Sequence, residues 1–364
     1  MKDTNKPAVH PDRPAARKST LRGRTVRTAG GLSVRLDPRT FTVVVLLVVA
    51  ALFASVVLIG TGDFPIPAAD VLKTLVGNGD AGQEFIVTEL RLPRVLVGLL
   101  VGLSLGLGGA LFQSVSRNPL GSPDVLGLAQ GATAGALVVI VLTSGSATAV
   151  TGGALVGGLV TGLLIYLLAW KRGVHGYRLV LVGIGVNAIA TAVNGYLITK
   201  ADLVDAARAV NWMVGSLNGR DWEQVWPLLA LCVVLVPLVL GNARGLRMME
   251  MGDDVSYALG VRVERVRLLL MLAAVLLTAA ATAAAGPVAF VALTAPQLAR
   301  RLTGSPGPNL LPSAFMGATL LIVADWASQR AFGADQLPVG VVTGILGGVY
   351  LLWLLVTERR AGRI

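Results

Sequence analysis

The chain consists of long apolar runs separated by short polar or charged breaks. The run FTVVVLLVVAALFASVVLIG, residues 41–60, contains no charged residue. A helix of that length matches the hydrocarbon core of a bilayer, which is about 30 Å thick. Similar runs, broken by Pro, Gly and charged residues, recur to the end of the chain. The ten predicted spans are residues 41–60, 93–113, 124–143, 147–169, 178–198, 224–241, 266–285, 287–303, 309–331 and 338–357. This pattern predicts an all-α polytopic membrane protein.

The distribution of basic residues predicts the orientation of these spans. If the N-terminus is cytoplasmic, 24 of the 31 lysines and arginines fall in predicted cytoplasmic segments and 7 in outer segments. Basic residues concentrate on the cytoplasmic side of membrane proteins. We therefore expect about ten transmembrane helices with both termini in the cytoplasm.

Three regions follow from this reading. Residues 1–40 are basic and rich in Pro, Gly, Ser and Thr, which predicts a disordered cytoplasmic tail. A cleaved signal peptide is the alternative, but the basic region is too long and the following apolar run is span-length. Residues 41–357 form the predicted transmembrane domain, and residues 358–364 form a short cytoplasmic tail.

Composition removes several classes of function. A chain that is 54% hydrophobic and 14% charged is not a soluble protein. The net charge of +11 follows the membrane orientation, so it does not indicate nucleic-acid binding. His10, His175 and the single Cys232 are too few and too scattered for a metal site. We expect no metal and no cofactor.

The second span carries glycines at a spacing typical of close helix packing. Gly98, Gly102, Gly106 and Gly109 in VLVGLLVGLSLGLGGALFQS allow neighbouring backbones to approach. Dense packing alone explains this pattern, and a helix beside a pathway that changes shape would also use it. Gly286 and Pro287, in AAAGPVAF, separate the seventh span from the eighth, and Pro287 suits the first residue of a new helix. These six residues are the candidates for pathway or packing roles.

A short amphipathic segment, GDDVSYALGV, lies between two basic flanks on the predicted cytoplasmic side. Its apolar positions Val255, Ala258 and Leu259 share one helical face. Asp253 and Asp254 suit a helix N-terminus, and Gly260 suits the residue after its end. The segment from Gly252 to Gly260 fits either a groove on a partner protein or the surface of anionic lipid, and periodicity does not separate the two.

The chain lacks an evident source of energy for transport. No Gly precedes a Lys, so the phosphate-binding signature of P-loop ATPases is absent. An ion-coupled carrier usually holds charged groups within the membrane, and Asp325 is the clearest acidic candidate. So few charged groups within the membrane are a weak basis for ion coupling, so we expect the energy for transport to come from another protein.

Five ordered blocks resemble the FecCD-type permeases of iron-siderophore ABC importers from about residue 40 to residue 357. They are LRLPRVLVGLLVGLSLGLGGALFQSVSRNPLGSPDVLGLAQGA, NWMVGSLNGRDWEQVWPL, MGDDVSYALGV, AAAGPVAFVALTAPQLARRL and LPVGVVTGILGGVYLLWLL. The last block is more similar to the catecholate-siderophore branch than to the cobalamin branch. The resemblance implies a non-enzymatic permease in a bacterial cytoplasmic membrane that imports a ferric siderophore by alternating access. A haem or cobalamin permease is the alternative within the class, and an ion-coupled secondary transporter is the alternative outside it.

The resemblance also implies partners and residue roles. The partners are a second permease subunit, identical or related, two ATP-binding cassette ATPase subunits, an extracytoplasmic siderophore-binding protein and membrane lipid. The segment from Gly252 to Gly260 matches the family's coupling segment, which favours the partner groove. Arg91 and Arg94 match outer arginines that meet the binding protein. A further such arginine is replaced by Gln329, with Arg330 one place along, and Gln297 replaces a His that many relatives have.

Overall fold

Helices account for most of the regular structure in the computed structural model, which describes residues 24–27, 33–62, 64–124, 126–170, 176–330 and 336–360. The helices are α1 (Pro38–Gly60), α2 (Ala68–Leu75), α3 (Ala81–Glu84), α4 (Leu92–Ser116), α5 (Leu128–Thr143), α6 (Ala147–Ala169), α7 (Gly176–Lys200), α8 (Leu203–Met213), α9 (Trp222–Gly241), α10 (Ala243–Met249), α11 (Asp253–Ala258), α12 (Val263–Ala285), α13 (Val291–Thr303), α14 (Leu310–Arg330) and α15 (Val339–Arg360). A π-helical stretch, Phe85–Arg91, joins α3 to α4 without a break.

The prediction of an all-α protein with many spans is confirmed. Seven helical units in the described residues are long and apolar enough to cross a bilayer: α1, the continuous unit from α3 to α4, α6, α7, α9, α12 and α14. The helices α5 and the apolar part of α15 are shorter. Their lengths follow from the apolar runs, because a helix satisfies its own backbone hydrogen bonds in a medium without water.

Two predicted span starts are wrong. The third span was expected from residue 124, but α5 begins at Leu128 after Gly127, which has a positive φ of 87°. The eighth was expected to start at Pro287, but α13 begins at Val291 after Phe290, whose φ is 67°. Left-handed residues interrupt a right-handed helix, so the chain turns at these two points before each helix starts.

The N-terminal region contains structure that the sequence did not suggest. The strands β1 (Arg24–Arg27) and β2 (Ser33–Leu36) pair antiparallel inside the segment predicted to be disordered. Helix α1 then starts at Pro38, where the Asp37 carboxylate accepts a hydrogen bond from the backbone N–H of Arg39 at 3.2 Å. At the other terminus α15 continues to Arg360, past the predicted tail boundary. The remainder of both predicted tails, including His10, lies outside the described residues. So does His175 in the basic loop before α7.

Helix α4 lies at the centre of the bundle. It is buried along most of its length and packs against α14, α12, α13 and α9. Uniform apolar character suits a helix that is surrounded on all sides. Its N-terminal end lies at the same end of the bundle as α2 and α8, which we call the α8 end. Its C-terminal end meets α10 and α11, and we call this the α11 end.

Candidate functional site

The α11 segment (residues 252–260) forms the helix that its sequence predicts. Gly252 precedes the helix with φ 119°, and Gly260 follows it with φ 80°. Both positions have backbone angles that glycine tolerates best, so they limit the helix to Asp253–Ala258. The Ser256 hydroxyl donates to the carbonyl oxygen of Gly252 at 2.7 Å and is buried. One side of this short helix therefore faces the protein.

The other side of the α11 segment is an exposed apolar surface. Leu259 is 56% exposed, and Val255, Tyr257 and the preceding Met251 are similarly open. The three apolar residues of the predicted face, Val255, Ala258 and Leu259, are all exposed, and so is Tyr257. A cluster of large apolar side chains at the end of a membrane bundle is typical of a surface that a partner covers.

The carboxylate of Asp253 fastens this segment to the bundle. Arg267 of α12 donates from Nη2 to its Oδ2 at 2.7 Å, and Arg117 at the end of α4 donates from Nη2 to its Oδ1. Partial burial raises the pKa of Asp253, but the hydrogen bonds and positive charges of Arg267 and Arg117 together outweigh burial. The net pKa is lower than usual, so Asp253 is a carboxylate at physiological pH.

The four glycines of α4 that the spacing singled out all lie very close to other parts of the chain. A Cβ on Gly102 would lie 2.7 Å from the Cα of Ala318 in α14, and one on Gly106 would lie 3.0 Å from the carbonyl carbon of Ser313. Gly109 faces the backbone of Ala292 in α13. At Gly98 the nearest atoms are instead side-chain ends. The spacing therefore reflects close backbone contact at three of the four positions.

A polar cavity of about 310 Å³ lies where the α12–α13 turn meets α5. Its lining includes Asp124, Gln130, Thr133, Met213, Pro287 and Gly340. Gly286, with φ 74°, ends α12 and brings Pro287 against Gly215. Asn194 of α7 donates to Oε1 of Gln130 at 2.9 Å. The cavity thus collects polar groups from α5 and the preceding turn, and Asn194 of α7 holds one of them, Gln130.

Sequence reasoning missed Asp124 and Gln130. Asp124 falls inside the window predicted as the third span, and an acidic residue in an apolar window is a functional signal in its own right. The carboxylate is close to the Ser122 hydroxyl at 3.3 Å. The turn that carries it folds back among the helices, because Leu126 packs against Gly183 in the second turn of α7.

The two arginines of RLPR have partners within the chain. Arg94 forms a two-point ion pair with Asp325 of α14, from Nε to Oδ2 at 3.0 Å and from Nη2 to Oδ1 at 2.8 Å. Gln329 donates to the same carboxylate at 3.1 Å. Arg91 donates to the carbonyl oxygens of Ile59 and Phe64 at 2.6 and 2.7 Å. Docking of the binding protein by these arginines stays a prediction.

Asp325 is poorly placed to couple an ion. Its side chain is 1% exposed and its two oxygens are taken by the Arg94 guanidinium. A coupling carboxylate must exchange its ion or proton during each cycle, and a two-point arginine contact opposes that exchange. Arg330, in contrast, is exposed at the end of α14. The two-point contact between Asp325 and Arg94 disfavours the secondary-carrier alternative.

Comparison with known proteins relates the chain to one group of transport proteins. The model of the FecCD transport family matches residues 44–357. The chain is 47% identical over 327 residues to the ferric enterobactin transport system permease protein FepG of Escherichia coli, covering 90% of this chain and 99% of that protein. It is 39% identical over 319 residues to the iron(3+)-hydroxamate import system permease protein FhuG of Bacillus subtilis, covering 85% and 94%.

A solved structure has the same architecture. It is described as an inward-facing conformation of a metal-chelate type ABC transporter, with a TM-score of 0.76 and 25% sequence identity. The match covers 87% of this chain and 99% of the solved chain. The shared fold therefore includes nearly the whole transmembrane bundle.

Proposed function

The chain belongs to the FecCD transport family, and from this premise we propose that it is the membrane permease of an ABC importer for a ferric siderophore. It breaks no covalent bond, and a separate ATPase subunit hydrolyses ATP. Full-length similarity to siderophore permeases supports the substrate class, and the higher identity to a ferric enterobactin permease favours a catecholate chelate.

The single structural observation that carries the proposal is the exposed apolar face of the α11 segment. A membrane subunit with no phosphate-binding loop of its own must receive the energy of ATP through contact with another subunit. That contact is available at the exposed side chains of Val255, Tyr257 and Leu259. The helix that carries them is held to the bundle by the ion pair between Asp253 and Arg267. We assign this surface to the ATPase.

The orientation follows from that assignment. If the α11 end faces the cytoplasm, the α8 end faces outward, where a siderophore-binding protein would deliver the chelate. We propose that α5, α13 and α15 cross the membrane together with the seven long helices. That arrangement would have ten passes, with both termini in the cytoplasm of a bacterial cell. A second permease subunit, identical or related, completes the pathway beside α7 and α15, whose apolar surfaces are open.

We propose that the polar cavity near Pro287 belongs to the pathway. The turn between α12 and α13 lines it, and α13 itself contacts Gly109 of α4 through the backbone of Ala292. Arg91, Arg94 and the exposed Arg330 are proposed contacts for the binding protein. Arg330 is exposed and can reach a protein surface directly. Arg91 and Arg94 instead donate hydrogen bonds to groups of this chain at the α8 end.

Uptake of radioactive iron tests the function directly. A strain that lacks this chain should lose uptake of at least one ferric catecholate chelate and regain it from a plasmid copy. Uptake should stop when the ATPase is inactivated by mutation and should continue after the membrane potential and proton gradient are collapsed. Uptake that depends on the gradient instead would identify an ion-coupled carrier. Normal uptake of every chelate by the deletion strain would refute the proposal.

A further inference from the structure

The end of α4 connects the exposed α11 segment to the interior of the bundle. Arg117 ends α4 with φ 51°, and this turn directs its guanidinium toward α10 and α11. Its Nε donates to the carbonyl oxygen of Met249 at 3.0 Å, and its Nη2 donates to Asp253. The residue that follows the central helix therefore holds both the start of the α11 segment and the helix before it.

A second helix holds the same carboxylate. Arg267 lies in α12, its side chain is only 6% exposed, and it donates to Asp253 at 2.7 Å and to Glu264 at 3.1 Å. A buried guanidinium that loses its partner carries a large desolvation cost. Breaking the contact between Arg267 and Asp253 therefore costs more than breaking an exposed surface pair. The carboxylate of Asp253 thus joins α11 to α12 through Arg267 and to the end of α4 through Arg117.

The same end of α4 also contacts α13 through side-chain amides. Gln113 donates to the carbonyl oxygen of Leu293 at 3.1 Å, and Gln297 donates to Oε1 of Gln113 at 2.9 Å. Gln297 further donates to the carbonyl oxygen of Pro119 at 2.6 Å. These hydrogen bonds link the end of α4 to α13, which follows the turn residues Pro287, Val288 and Ala289 that line the polar cavity.

Docking and transmission use opposite sides of α11. The apolar side chains of Val255 and Leu259 are exposed, whereas the carboxylate of Asp253, on the other side of the helix, lies between two arginines. We propose that Asp253 is a positioning residue that transmits movement of the α11 segment to α4 and α12 through Arg117 and Arg267. This role rests on the proposed function, in which an ATPase moves that segment.

The test compares binding, hydrolysis and transport in the complete transporter reconstituted in liposomes. Asp253→Asn keeps the size of the side chain and removes its charge. The ATPase should still co-purify with the variant and hydrolyse ATP, because the apolar face is intact. Chelate uptake per ATP should fall at least fivefold. Asp253→Glu should restore more than half of the ratio, because it returns a carboxylate to the two arginines.

Two further variants separate transmission from general damage. Arg267→Gln should also lower uptake per ATP, and combining it with Asp253→Asn should add little, because the two residues act through one contact. Asp70→Asn removes a carboxylate from an exposed ion pair with Lys73 at the α8 end and should leave the ratio unchanged. A strictly multiplicative double variant would overturn the proposed link.

The remaining outcomes are also decisive. A wild-type ratio in Asp253→Asn would overturn the inference, and so would loss of the ATPase, which would make Asp253 part of the docking surface. Neither result bears on the proposed function if the wild-type transporter imports chelate with ATP. Absence of ATP-dependent uptake in the wild type would instead refute the proposed function.

Discussion

Replacing Gly102 by Ala tests whether backbone contact between α4 and α14 controls the transport cycle. The added Cβ would lie 2.7 Å from the Cα of Ala318, and the carbonyl oxygen of Gly317 would be closer still. Neither atom belongs to a flexible side chain that could rotate away. The substitution therefore forces one helix backbone to move away from the other.

The size of the effect follows from this geometry. Ordinary contact begins at 3.4 Å, so relief of the Ala318 contact alone requires the helices to separate by roughly 0.7 Å, and the nearer carbonyl oxygen of Gly317 requires more. A gap of that size removes about a quarter to a half of the attraction between the neighbouring atoms. Overpacking of this kind typically costs about 1 to 3 kcal/mol. A bias of roughly 1.4 kcal/mol toward one of two access states changes their ratio tenfold.

We therefore expect Gly102→Ala to insert and bind its ATPase normally, yet to uncouple hydrolysis from uptake. Liposomes containing the complete transporter allow both rates to be measured on one preparation. Gly98→Ala is the matched comparison on the same helix face, because its Cβ would meet the movable side-chain ends of Ile322 and Leu217 at 3.0 and 3.1 Å. Its effect should be smaller. Wild-type uptake per ATP in Gly102→Ala, or equal losses in both variants, would refute the reasoning.

Four other predictions address the remaining parts of the site. Leu259→Asp should abolish co-purification with the ATPase and stop uptake without preventing insertion, because docking would bury a carboxylate without a partner; retained ATPase and normal import would show that Leu259 is not at the interface. Reversal of both Arg91 and Arg94 to Glu should weaken binding-protein affinity and flatten its dependence on ionic strength; unchanged affinity and slope would leave only their internal contacts. Asp124→Asn should raise uptake of a trianionic ferric tricatecholate relative to a neutral ferric trihydroxamate, since the carboxylate repels anions; an unchanged ratio of initial rates would mean that the chelate does not meet this residue. The lowered pKa of Asp253 implies that the stabilising contribution of its carboxylate is present above the ordinary pKa of 3.8 and is lost only below it. Protonation of this group should therefore not lower uptake per ATP between about pH 8 and about pH 5.5. A loss across that range that is absent in Asp253→Asn would contradict the assignment.

The spans could be predicted from the sequence because burial in lipid requires long apolar helices. The α11 segment could be predicted as well, since its helix limits depend on glycines next to it in the chain. The starts of α5 and α13 were not predicted correctly. Before α13, Phe290 adopts a left-handed backbone that no local pattern signals. The Phe290 side chain packs against Gly347 of α15, a contact between residues far apart in the sequence.

The contacts of charged residues were the least predictable part. Arg94 and Asp325 are separated by 231 positions in the sequence and pair only because α4 and α14 run side by side. Arg117 and Asp253 are 136 positions apart and meet for a similar reason. The glycine spacing on α4 indicated close packing, but it did not identify α14 as the neighbour. The count of charged residues predicted the orientation of the spans in the membrane, whereas the contact partners of individual residues could be identified only from the fold.

The pairing of Arg94 with Asp325 changes how the docking experiment must be interpreted. A glutamate at position 94 would face the buried carboxylate of Asp325, and two like charges at that distance oppose folding as well as docking. Arg330 is exposed, so its reversal removes a surface charge without leaving a buried carboxylate unpaired. Weak docking that appears with Arg94→Glu but not with Arg330→Glu would therefore reflect distortion of the α8 end. Weak docking with Arg330→Glu, which strengthens at high salt toward the wild-type value, would identify a direct electrostatic contact with the binding protein.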